Sequence, residues 1–149
     1  MIDEPRPTSA GIGRVLIAVY AILALAALGR SVYQIATKFD EAPFAYSLSA
    51  LAAIVYVLAT VALIARGRAW FRVAVIAIVF ELVGVLAVGA VSLLQPELFP
   101  ADTVWSAFGR GYLFIPLVLP VLGLLWLRRV VRANSTTNHT ATNTTKVSA

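Results

Sequence analysis

Glu81 is the one ionisable residue in the apolar run from Val73 to Leu94, and a carboxyl group in such a run needs a partner or a wet cavity. Arg30 stands in the same way inside an earlier apolar run, on a three-four stripe with Tyr20, Leu23, Ala27 and Gln34. Tyr56 belongs to a third polar line, Tyr46, Ser49, Ala53, Tyr56 and Thr60, on an otherwise aliphatic segment. Counted from the basic ends at 1.5 Å per residue, Glu81 lies about 14 Å in, Tyr56 about 15 Å and Arg30 about 24 Å. Glu81 and Tyr56 therefore share a level, and Arg30 is expected to lean down toward Glu81. Two chemistries fit these residues. A buried carboxylate among hydroxyls can carry protons or bind a cation. The same carboxyl, paired with Arg30 or bonded to Tyr56, can instead hold helices in register while Arg30 reaches out to headgroups.

Other chemistries lack their residues. The chain has no cysteine, and its single histidine, His139, falls in a polar tail. Thiol nucleophiles, disulfides, histidine-containing metal sites and serine-histidine catalysis are excluded from the apolar region. Glu97 and Asp102 have no nucleophile or oxyanion motif beside them and read as loop residues. The expectation is a protein that is not an enzyme and holds no metal or cofactor.

The elements that must position these residues follow from composition. Of the 149 residues 60% are hydrophobic and 13% charged, with a mean hydropathy of +0.89. An ordinary soluble domain has about half apolar and a quarter charged residues, so this is a polytopic membrane protein by composition. An all-α fold of four transmembrane helices is predicted, with spans at residues 15–36, 43–65, 73–94 and 111–127. Pro43 suits the first turn of the second span. Ala74, Ala77 and Gly84 line up with Glu81 as a small-residue face for close helix packing. Ala24-Leu25-Ala26 has the small-residue pattern of a signal-peptidase site, but an acidic lead-in and continuing apolar character predict that the span is retained. Residues 1–14 read as a flexible lead-in, and residues 130–149, almost entirely small and polar, as a disordered tail. Asn134, Asn138 and Asn143 open Asn-X-Ser/Thr triplets there, which arise easily in so Asn/Thr-rich a segment.

Between the third and fourth spans, Pro100 is expected to open a short interfacial helix with Trp105 and Phe108 facing acyl chains. Pro116 and Pro120 predict a bend in the fourth span. Arg6, Arg14, Arg66, Arg68, Arg72, Arg128, Arg129 and Arg132 gather at one side of this arrangement, against Lys38 and Arg110 at the other. The positive-inside rule then places both termini in the cytosol. Trp70 and Trp126 would anchor the inner interface, and Tyr46, Trp105 and Tyr112 the outer one. The net charge of +5 is accounted for by this rim and anionic lipid, so nucleic acid is not an expected partner.

Val104-Trp105-Ser106, Phe108-Gly109-Arg110-Gly111-Tyr112, Pro116-Leu117-Val118-Leu119-Pro120 and Gly123-Leu124, with Gly29-Arg30-Ser31 and Glu41-Ala42-Pro43, resemble a group of small integral membrane proteins of high-GC Gram-positive bacteria. The resemblance covers residues 15–129. It implies a multi-pass protein of the bacterial plasma membrane and supplies no activity, since that group's function is unknown. The expected role is a non-enzymatic accessory or scaffold subunit whose partners are the lipid bilayer and another membrane protein or a second copy. A small proton- or cation-coupled transporter using Glu81 is the alternative.

Overall fold

The computed structural model describes residues 9–147, and the side chains of residues 11–132. Every regular element among them is helical. Helix α1 is Ser9–Lys38, α2 Pro43–Ile64, α3 Arg68–Leu94 and α4 Ile115–Val147, with short 3-10 turns at Phe39–Glu41, Pro96–Leu98 and Ser106–Tyr112. Three of the helices are long and apolar enough to cross a membrane, and a fourth crossing results if Ser106–Tyr112 and the start of α4, bent by 97° to each other, form one span.

Each helix packs on its neighbours in sequence, and α4 returns to α1. This closes a ring in which α1 and α3 face each other across the diagonal. The tightest pair is α1 with α2, where Ala24, Ala27 and Ser31 on one helix and Ala45, Ser49, Ala52 and Ala59 on the other are all buried. Small side chains at these spacings let two backbones approach closely. The outward faces carry Ile22, Leu25, Ile54, Ile76, Val83 and Leu122, all exposed. Apolar residues cover the outward faces as well as the core, unlike the polar surface of a water-soluble bundle.

Several boundaries differ from the sequence expectation for local reasons. Helix α1 begins at Ser9, taking in residues expected to be flexible; residues 1–8 lie outside the described residues. Near this end Gly13 packs against the indole of Trp126 so closely that a Cβ there would sit 2.6 Å from the ring. Helix α3 begins at Arg68 rather than at residue 73, so Arg68 and Arg72 are helical. The backbone of α4 is helical through Val147, where a disordered tail is expected from residue 130; the side chains beyond Arg132, His139 among them, and residues 148–149 lie outside the described residues. Pro43 occupies the first turn of α2 as expected.

The connection from α3 to α4 departs most from expectation. It is not an amphipathic helix on the surface; it folds back into the end of the bundle. Thr103 and Ser106 hold its first part, with Thr103 N donating to Ser106 Oγ at 2.9 Å and Ser106 N to Thr103 Oγ1 at 3.0 Å. Ala107 N donates to Ser92 Oγ at 2.8 Å, tying the segment to α3. The chain then turns through left-handed backbone at Ala107, Phe108 and Gly109, and again at Leu113 and Phe114. Phe108 lies on Gly89, the approach being too close for any side chain there. The sharp turn into α4 thus occurs ahead of the prolines. Pro116 falls in the first helical turn, where a missing N–H costs nothing, and Pro120 lies inside the helix.

Candidate functional site

Glu81 and Tyr20 are fully buried and meet across the α1–α3 diagonal, Tyr20 Oη donating to Glu81 Oε2 at 2.8 Å. The other carboxyl oxygen, Oε1, is buried with no hydrogen-bond partner. Tyr56 is also fully buried, its ring centroid 6.4 Å from that of Tyr20. Its hydroxyl oxygen accepts a hydrogen bond from Trp105 Nε1 at 3.1 Å. Two phenols and a carboxyl group from three helices are therefore gathered in one apolar interior, roofed by an indole from the α3–α4 connection.

Trp105 is seated by its surroundings. Its six-membered ring lies over Gly84, where a Cβ would come within 2.7 Å of the ring carbons, and Phe80 meets it edge-on with centroids 6.5 Å apart. Trp105 is 1% exposed, so the expectation that it faces acyl chains is wrong: an indole with a donor to place takes the buried phenol oxygen, and glycine leaves room for the ring. Tyr46, expected as an outer anchor, is likewise buried. Gly84 receives this indole instead of a neighbouring helix backbone. Ala74 and Ala77 are buried, and each borders a space between α3 and its neighbours.

Arg30 does not approach Glu81. Its Nη2 donates to the backbone carbonyl of Asp102 at 2.7 Å, so the guanidinium holds the folded-back connection at the end of the bundle. The depth argument that brings Arg30 down toward Glu81 assumes open space above it, and the connection fills that space with a nearer acceptor. Among the described residues the ion pair is Lys38 with Glu41, at 3.9 Å in the exposed α1–α2 turn.

Of the predicted trio, the structure brings Tyr56 and Glu81 into one site and places Arg30 at its outer edge. Glu81 is bonded to Tyr20 rather than to Tyr56. Tyr20 carried a signal, since it lies on the Arg30 stripe; Trp105 carried none that separates an anchor from a plug. No group of three or more His, Cys, Asp or Glu among the described residues could hold a metal ion. What the arrangement can do chemically is accept a second hydrogen bond, or a proton, at Glu81 Oε1. Comparison with known protein families, curated proteins and solved structures finds no match to this chain. Its class is thus set by its own architecture, an all-helical chain of three to four apolar helices around a buried polar cluster.

Proposed function

We propose that this chain is a multi-pass protein of the bacterial plasma membrane, with four spans and both termini cytosolic, that serves as a non-enzymatic accessory or scaffold subunit. The observation that carries this reading is how the polar groups inside the bundle and at its edge are used. Tyr20 with Glu81 joins α1 to α3, Trp105 with Tyr56 joins the connection to α2, and Arg30 with Asp102 joins α1 to the same connection. Each bond links elements far apart in sequence, which is the use of polar groups that fixes one arrangement of apolar helices. The aliphatic outer faces support membrane insertion, the arginine-rich end supports the cytosolic placement of the termini, and the resemblance noted above supports the compartment. The partner is another membrane protein or a second copy meeting those faces.

One observation favours a second reading, a proton- or cation-coupled transporter. Glu81 Oε1 is buried without a partner, and an intramembrane carboxyl group with a free oxygen is the usual mark of an ion pathway. Proton flux into proteoliposomes holding the wild type or Glu81→Gln separates the two. Reproducible co-purification of another membrane protein, with no flux, is the expected result. A flux abolished by Glu81→Gln overturns the scaffold reading.

A further inference from the structure

At the end of the bundle where α2 stops and α3 begins, an apolar slot of about 160 Å³ opens between α2, α3 and α4, bordered by Ala62, Phe71, Ala74 and Trp126. The same end carries the exposed arginines Arg14, Arg66, Arg68, Arg72, Arg128, Arg129 and Arg132, and no Asp or Glu among the described residues. The arginines do not line the slot, but four of them are next in sequence to residues that do. Arg66 stands between the lining residues Ala65 and Gly67, Arg72 follows Phe71, and Arg128 and Arg129 lie between Leu127 and Val130. An apolar slot whose rim is uncompensated guanidinium is complementary to one kind of molecule, with a hydrocarbon chain below an anionic oxygen-rich head. Guanidinium groups bind phosphate oxygens in bidentate fashion, and the aliphatic and aromatic side chains that border the slot offer contact to hydrocarbon.

We propose that this slot binds an anionic phospholipid, its phosphate between Arg66 and the Arg128–Arg129 pair and the upper part of one acyl chain against Ala62, Ala74 and Trp126. The site rests on the reading of this chain as membrane-spanning, and it goes beyond a diffuse attraction of the basic rim to a charged leaflet. A lipid held there would close the gap between the ends of α2 and α4 and bring opposite charge to arginines that otherwise repel one another.

The test uses the full chain in nanodiscs of zwitterionic phosphatidylcholine containing a minor fraction of phosphatidylglycerol, with bromine on the acyl chains of one lipid or the other. Bromine in contact with an indole quenches its emission, and the Trp126 contribution is the difference between wild type and Trp126→Phe. Brominated phosphatidylglycerol is expected to quench Trp126 far more than the same amount of brominated phosphatidylcholine. Arg66→Gln with Arg128→Gln, at exposed positions, should weaken that preference by about thirtyfold, the loss of two arginines at about 1 kcal/mol each. Ala65→Phe, which fills the slot and keeps every charge, should abolish it. Equal quenching by the two lipids overturns the site, as does a preference that survives Ala65→Phe, which would mean that headgroups gather on the rim without entry of a chain. Relief of quenching by soluble glycerol phosphate would show that free phosphate esters are the ligand and also overturns it. Failure of the chain to enter nanodiscs at all would instead refute the membrane-spanning reading.

Discussion

Replacing Gly84 by Ala inserts one methyl group beneath Trp105. The added carbon would lie 2.7, 2.9 and 3.1 Å from three atoms of the indole, all closer than a normal contact, on a ring that is itself confined by Phe80 and bonded to Tyr56. Overpacking of this kind costs about 1–3 kcal/mol. If the ring moves aside, the buried Nε1 loses its acceptor, at about 1–3 kcal/mol more. Against this stands the gain of about 1 kcal/mol from alanine over glycine in a helix interior. The net expectation is destabilisation by about 2 kcal/mol, read from reversible unfolding by a denaturing detergent in mixed micelles and followed by helical circular dichroism. In a Trp105→Ala background the clash is gone and only the helix gain remains, so the same substitution should stabilise by about 1 kcal/mol, a coupling of about 3 kcal/mol. Gly29→Ala is the control: an added Cβ there meets nothing within 4 Å, and the change should stabilise by up to about 1 kcal/mol. An equal penalty for Gly84→Ala with and without Trp105 would refute the seating of the indole on Gly84.

Tyr20→Phe removes the one hydrogen bond to Glu81 and should cost about 1–3 kcal/mol in the same assay, but almost nothing in a Glu81→Leu background, where no carboxyl group is left unsatisfied. Leu113 is 83% exposed and left-handed at φ 56°, so Leu113→Gly should raise stability by about 1 kcal/mol; a loss would show that the turn is not strained. Cysteines placed at Asp40 and Asp102 should react with an impermeant thiol reagent on intact cells, whereas those at Gly67 and Ser135 should not. Labelling of Ser135→Cys from outside would overturn the topology.

The helices were legible because an apolar run of span length with charge at its ends has few alternative structures. Glu81 and Tyr56 were legible for the same reason: a polar group on such a helix stands out and must turn inward. Their partners were not. Depth along a helix places Tyr56 level with Glu81 but says nothing of azimuth, and across the diagonal of the ring it is Tyr20 that points at the carboxyl group. Residue type alone does not place Trp105, because tryptophan is common both at interfaces and beneath them. Its seat is made by Gly84 and Tyr56, on two other elements, and no local pattern reports that convergence. Small residues around Glu81 stand out on α3, yet the most intimate helix pair is α1 with α2, whose alanines and serines are spread through an aliphatic sequence where their spacing is hard to distinguish from chance.

The bond between Tyr20 and Glu81 has a consequence for how the chain is made. Its two ends are 61 residues apart, so at about 5–20 residues per second a ribosome delivers the carboxyl group about 3–12 s after the phenol that receives it. On the proposed membrane-spanning reading, the finished α1–α2 hairpin is expected to stay beside the insertion machinery during that interval, because α3 arriving alone would bring an acid into lipid at an expense of about 3 kcal/mol. The tight alanine and serine seam between α1 and α2 lets that hairpin form first as a unit and wait. Trp105 emerges later still, so the roof over the carboxyl group is laid only after the walls stand. Lengthening the connection between α2 and α3 would leave every bond of the finished bundle intact while extending the wait, and its effect would fall on yield during synthesis rather than on the stability of the purified protein.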